Sequence, residues 1–308
     1  MAIKLKNGHE IKYVIGSGAL AFDGKGWLYE RPLVALRHIQ PELFTVVLKS
    51  LKLKKIKGNY VWWHPWTCIR PILGGAVNKV GLTSPGFDYW LKNIAPKIDF
   101  SKGNIVVSFF GEVYEIIEMI NKTNHLNIAA YEINSSCPNS GSKLDEAQVV
   151  INNTKRIKGV SRHPLIFKVS VTQDYLAIAK GLVGIAEAIS LNSVPWEKVF
   201  PDKVTPLWRL EKKVKGGGGG VSGKPAQELN WKAVRELSEQ GFIPVIAPSV
   251  MEFDDMEKVR KLGASAVSFC AIHLPDHDWW HFWKPWKLFT WFTNPCKPTK
   301  FVRKEMEK

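Results

Sequence analysis

The segment Leu126-Asn-Ile-Ala-Ala-Tyr-Glu-Ile-Asn-Ser-Ser-Cys-Pro-Asn139 opens as an apolar run and stops in amides, hydroxyls, a thiol and a proline. Its first eight residues have the length and composition of a buried strand, and the residues after Ile133 end that strand abruptly. Outward from it, short β-rich runs recur at 11–15, 44–48, 105–109, 128–133, 165–169, 184–191, 243–247 and 266–269. Helical patterns separate them. Residues 230–240 and 253–262 read as amphipathic helices, closed by Gly241 and Gly263 in the helix-terminating position. Strands alternating with helices predict a parallel sheet, and eight of them predict an α/β fold, a (β/α)8 TIM barrel. The residues that follow the strands then gather at the C-terminal face, where barrels keep their chemistry. The stretches 49–104 and 192–242 are too long for simple connections and predict loops inserted over that face. Residues 1–290 are read as a single barrel domain and 291–308 as a basic C-terminal tail, its end at 297–308 either frayed or a weakly packed terminal helix.

Composition narrows the function classes. A hydrophobic content of 45% suffices for a large core. No run of 18 apolar residues occurs and the N-terminus has no signal-peptide pattern, so the expectation is a cytoplasmic protein without membrane contact. Cys68, Cys137, Cys270 and Cys296 are scattered without CxxC spacing, which argues against a disulfide framework or a zinc site. The net charge of +15 comes from dispersed lysines mixed with acidic residues, and no nucleic-acid-binding motif accompanies it. A solvated basic surface with an anion-binding centre accounts for it, with no nucleic-acid partner.

The end of the 126–133 run carries chemistry. Cys137 stands on a loop between Asn134 and Asn139. Amides bind planar polar rings, and a thiol near its pKa of about 8.5 can accept a proton at neutral pH. Further segments follow in order: Gly16-Ser-Gly18, Leu48-Lys-Ser50, Asn78-Lys-Val-Gly-Leu82, Gly86-Phe-Asp-Tyr89, Phe167-Lys-Val169, Leu191-Asn-Ser193 and Gly219-Gly-Val-Ser-Gly-Lys-Pro225. With Glu132-Ile-Asn-Ser-Ser-Cys-Pro-Asn139, this ordered set resembles the dihydroorotate dehydrogenases, particularly their class 1 enzymes.

The resemblance implies FMN-dependent oxidation of dihydroorotate to orotate in pyrimidine biosynthesis. It implies that Cys137 is the general base, taking a proton from ring carbon 5 as a hydride leaves carbon 6 for flavin N5. Asn78, Asn134, Asn139 and Asn192 would surround the substrate, with Ser193 as a further donor. Gly81 and Leu82 would offer backbone N–H groups to its carboxylate. Lys49 would hold both flavin and substrate, and Lys168 would stabilise negative charge on the reduced flavin. Gly16, Ser17, Gly219 and Gly220 would contact the flavin, the glycines because no Cβ keeps the backbone away. Class 1 resemblance also implies a homodimer, while fumarate, a quinone and a nicotinamide-linked partner subunit all stay open as electron acceptors. A flavoenzyme acting on another dihydropyrimidine and a flavin-free pyrimidine-binding barrel are the alternatives.

The chain departs from the family pattern where FMN phosphate would bind. A Gly-Gly pair and a Gly-Thr pair are replaced within Ala247-Pro-Ser-Val-Met251 and Phe269-Cys-Ala-Ile272. Ser249, Val250, Cys270 and Ala271 then take the phosphate-loop positions, although Pro248 supplies no N–H. Residues 279–291 hold five tryptophans and read as an aromatic packing face. His273, His277 and His281 recur at helical spacing, but Pro275 interrupts them and no metal site is expected.

Overall fold

The computed structural model describes residues 2–61, 65–135, 147–214, 217–274 and 290–308. Its centre is a closed parallel barrel of β1 (Tyr13–Ile15), β2 (Thr45–Val47), β3 (Ile105–Phe109), β4 (Ala130–Asn134), β5 (Leu165–Val169), β6 (Ala188–Leu191), β7 (Val245–Ala247) and β8 (Ala266–Phe269). The strands follow one another around the ring in chain order, and β8 pairs with β1 to close it. Helices connect them, among them Gln227–Gln240, which ends at Gly241 with φ of 63°. No helix among the described residues is long and apolar enough to cross a membrane.

Alternation along the strands explains how the barrel fills. Successive side chains point to opposite faces of a sheet. Val14, Val47, Val106, Ala130, Ile166, Ala188, Ile246 and Ala266, one from each strand, form a single buried cluster. This is the interior, and alanines on β4, β6 and β8 alternate with the larger residues of β3, β5 and β7. Ile3, Leu5 and Ile11 join that cluster from the antiparallel hairpin Ile3–Lys4 with Glu10–Ile11, so the hairpin plugs the N-terminal end. The intervening residues, such as Val46, Val107, Tyr131, Phe167, Ile189 and Val267, pack in the larger outer core. Two positions further along, the inward series reads Gly16, Lys49, Ser108, Glu132, Lys168, Ser190, Pro248 and Ser268. The interior is therefore apolar below and predominantly polar at its C-terminal mouth.

The two long insertions build one structure. Strands Ile69–Ile72 and Gly75–Asn78 come from the first, and Val194–Pro195 and Gly220–Gly223 from the second; together they make a four-stranded antiparallel sheet. Gly75 is required there, since a Cβ would lie 2.0 Å from the Ser222 carbonyl oxygen. Val77, Val194, Trp196, Leu207, Val221 and Ala226 give the sheet its own small core. Lys79 is buried, and its ammonium donates to the carbonyls of Val214 (2.7 Å) and Gly217 (2.6 Å), tying the first insertion to the second.

The C-terminal segment is a terminal helix, more firmly packed than the frayed or weakly held end expected of it. Lys297–Met306 is a helix with Pro298, Thr299 and Val302 buried against the barrel. Phe301 meets Phe253 and Phe269, with ring centroids 5.9 and 6.4 Å apart. Thr299 Oγ1 accepts the Gln40 N–H at 3.1 Å, and Arg260 pairs with Glu305 at 2.6 Å. The apolar residues recur at three- to four-residue spacing and the lysines occupy the other face, which gives the stripe a docked helix needs. Replacing Val302 with Ala should lower unfolding free energy by roughly 1.5–3 kcal/mol in chemical denaturation. The same change at exposed Met306 should stay within about 0.5 kcal/mol.

Candidate functional site

The polar layer at the barrel mouth is one hydrogen-bonded network. Glu132 is almost fully buried, and its carboxylate accepts from Ser108 Oγ (2.9 Å), Lys168 Nζ (3.2 Å) and Ser190 Oγ (3.2 Å). Ser108 and Ser50 share a 2.8 Å hydroxyl contact. Ser50 in turn lies 3.3 Å from Ser17 Oγ and accepts from Asn134 Nδ2 at 3.2 Å. Ser17 donates to the Leu48 carbonyl at 3.0 Å. Strand register produces this: Ser108 pairs with Glu132, Asn134 with Lys168, and Lys168 with Ser190. A buried carboxylate is tolerated only when paired and hydrogen-bonded, and all three requirements of charge, geometry and donors are met by neighbouring strands.

Three residues singled out from the sequence, Ser17, Asn134 and Lys168, therefore stand in one connected cluster. Gly16 lies beside them, and a Cβ on it would sit 3.1 Å from both Cys270 Cβ and Ser268 Oγ. Cys270 contacts the mouth through its thiol, 3.7 Å from the Ser17 carbonyl oxygen. Desolvation pushes the Cys270 thiol up, Lys168 and Lys49 opposing the shift while Glu132 and Glu30 add to it. Burial pushes Cys68 up to about 12, again with Lys49 opposing. The Lys49 ammonium stands 5.8 Å from the Phe22 ring centroid.

The remaining predicted residues divide between sheet, turns and loops. Asn78 lies on the insertion sheet, donating its amide to the Gly220 carbonyl at 3.3 Å. Gly81 and Leu82 form a left-handed turn with φ of 70° and 55°. Asn192 follows β6, and its Oδ1 accepts the Ser193 N–H at 2.9 Å. Gly219 and Gly220 enter the sheet strand, and a Cβ on Gly219 would approach the Asn78 carbonyl to 2.7 Å. Sheet packing alone therefore requires glycine there. Cys137 and Asn139 lie outside the described residues, as do His277, His281 and most of the tryptophan-rich stretch.

After β7 the arrangement is unlike a backbone anion cradle. The left-handed conformation falls on Ser249 (φ 65°), and its hydroxyl accepts from Asn230 Nδ2 at 3.3 Å. The Val250 side chain is buried in the outer core. The N–H groups of Met251 and Glu252 donate to Asp255 Oδ2 at 3.1 and 3.0 Å. After β8, Ala271 begins a short 3-10 turn ending at His273, whose Nδ1 lies 2.8 Å from Glu30 Oε1 in a fully buried pair.

Sequence reasoning assigned no role to Glu132, Ser50, Ser108, Ser190 or the Glu30–His273 pair. For Ser108, Glu132 and Ser190 a signal existed: each is a polar residue at the inward period of an otherwise apolar strand. Ser50 and Glu30 lie beyond regular strand, so no periodicity marks them.

Comparison with known proteins places this geometry. Residues 42–278 match the sequence model of the family described as "Dihydroorotate dehydrogenase". The chain is 26% identical over 231 residues to the catalytic subunit of dihydroorotate dehydrogenase B (NAD(+)) of Thermodesulfovibrio yellowstonii, covering 72% of this chain and 73% of that protein. It is 29% identical over 238 residues to a putative dihydroorotate dehydrogenase A (fumarate) of Aquifex aeolicus, covering 73% and 74%. The corresponding NAD(+)-type catalytic subunit of Alkaliphilus metalliredigens is 28% identical over 236 residues, covering 74% of each.

The buried pair at the mouth yields a stability test. Glu132→Leu leaves Lys168 without its carboxylate and should cost about 3–5 kcal/mol in equilibrium unfolding. Adding Lys168→Met should recover more than half of that loss, because the two changes are coupled.

Proposed function

The chain belongs to the dihydroorotate dehydrogenase family, and we propose that it is an FMN-dependent enzyme oxidising dihydroorotate to orotate. Family membership makes it an oxidoreductase acting on a CH–CH donor. The observation that carries the finer reading is the convergence of Ser17, Asn134, Lys168 and the Glu132 network at the C-terminal mouth of the barrel. In keeping with class 1 resemblance, the proposed active form is a cytoplasmic homodimer.

The residues present fit the ring end of FMN. Gly16 presents no side chain between the ends of β1 and β8, and Ser17, Lys49 and Lys168 bring hydroxyl and cationic donors to the same opening. When bound, FMN supplies the hydride acceptor at its N5. Lys168, held by Glu132 at 3.2 Å, presents positive charge to the pyrimidine edge of that ring. Asn134 and Asn139, with Asn78 and Asn192, orient the substrate ring through its alternating N–H and C=O groups. Gly81 and Leu82 present N–H groups to its carboxylate, Ser193 adds a donor, and Cys137 removes the carbon 5 proton. Gly219 and Gly220 line the flavin side of the insertion sheet.

A second reading, a pyrimidine-binding barrel that has lost flavin, is favoured by one observation: Asp255 already takes backbone N–H groups of the loop after β7. A spectrum separates the two. Purified protein supplied with FMN should show flavin absorption, and anaerobic dihydroorotate should bleach it. Protein that takes up no flavin but binds orotate would establish the second reading instead. In Cys137→Ala the bleaching rate at neutral pH should fall about 10²- to 10⁴-fold, as expected for loss of a general base; full retention would remove Cys137 from that role.

A further inference from the structure

We propose that the phosphate end of the flavin is held by the ammonium groups of Lys224 and Lys297, in place of loop backbone amides. The inference rests on the flavin reading above and concerns how this chain satisfies it. Barrel phosphate sites are commonly built by the loops after the seventh and eighth strands. Here much of the β7 loop is closed to an incoming anion. Pro248 has no N–H, and the amides of Met251 and Glu252 are consumed by Asp255 at 3.1 and 3.0 Å. Asp255 also accepts from Gln227 Nε2 and Lys258 Nζ, both at 3.0 Å. That loop has its own anion, held by four donors and almost fully buried.

A cavity of about 190 Å³ opens beside this loop, between the tip of the insertion hairpin (Gly74 and Gly75), Glu252, Ala271 and the two lysines. It has room for several waters, hence for a phosphate group. Ala271 follows Cys270, whose thiol touches the Ser17 carbonyl at the mouth, so mouth and cavity share one turn of backbone. Gly74, with φ of 74°, lets the stem of Lys224 lie against the hairpin tip, where a Cβ would come within 3.0 Å of Lys224 Cβ. Lys224 pairs with Glu252, and about half of each side chain in that pair is solvent-exposed, which makes it weak and exchangeable. Among the described residues Lys297 has no carboxylate within ion-pair distance. A phosphate dianion entering the cavity would take Lys224 from Glu252 and meet Lys297 unopposed, forming charge-assisted hydrogen bonds to both.

The test compares FMN with riboflavin, which lacks only the phosphate, by quenching of flavin fluorescence on the full flavin-free chain. Wild type should prefer FMN. Lys224→Gln and Lys297→Gln should each reduce that preference about tenfold or more, and the double variant should abolish it. Riboflavin affinity, unchanged throughout, would report that the variants are folded and the ring site intact. A preference for FMN that survives both substitutions, or equal affinity for the two flavins in wild type, would overturn the lysine assignment while leaving the flavin reading in place. Wild type that binds neither flavin would overturn both.

Discussion

A carboxylate inside a barrel must be surrounded by donors, or the strands cannot close over it. Glu132 meets that condition with one hydroxyl from β3, an ammonium from β5 and a hydroxyl from β6. The constraint runs both ways. Lys168, nearly buried itself, is held in the mouth by the same carboxylate and cannot turn away to solvent. Desolvating one charge without the other would cost more than their attraction returns, so the pair and its serines act as a unit. Asn134 and Ser17 are linked to that unit through Ser50, which places the candidate ring-binding groups on a rigid base rather than on loops.

Above this base, the site depends on two insertions that are remote in sequence. Neither the hairpin 69–78 nor the strand 220–223 has enough apolar surface to fold alone, and isolated two-stranded hairpins are marginal in water. Their pairing creates the small core around Trp196 and Val221. Lys79 then ties them together from within. Burial lowers the pKa of its ammonium, opposed by Glu211 and Glu197, and two carbonyls of the partner insertion accept its hydrogen bonds. Asn78 and the Gly81–Leu82 turn flank this lysine, so the groups proposed to meet substrate are positioned by an interaction with no chemistry of its own.

The loop after β7 is closed on itself. With Asp255 drawn in to cap the amides of Met251 and Glu252, the loop is internally neutralised, and Val250 is free to contribute to the core. The cavity beside the loop carries two lysines.

Much of this was legible before folding. Short apolar, β-rich runs separated by helical patterns located all eight barrel strands, because a strand buried on both faces leaves a continuous apolar run. The family resemblance marked Ser17, Asn134 and Lys168, which stand at strand ends, where polar groups can reach a shared face. The pairing of the two insertions was not legible, because antiparallel partners so far apart leave no local pattern. Glu132 appeared only as part of a motif, since its partners come from three other strands. The docking of Lys297–Met306 was masked by its lysines, although the stripe of Pro298, Phe301 and Val302 was present. The amino-acid order by itself determined the strand count, the barrel and the family signature, because those follow from local periodicity and spacing. Which side chains meet, which glycines are demanded by packing, and where the loop after β7 places its donors were decided by the tertiary structure alone, because only closure of the ring sets distances between residues far apart in the chain.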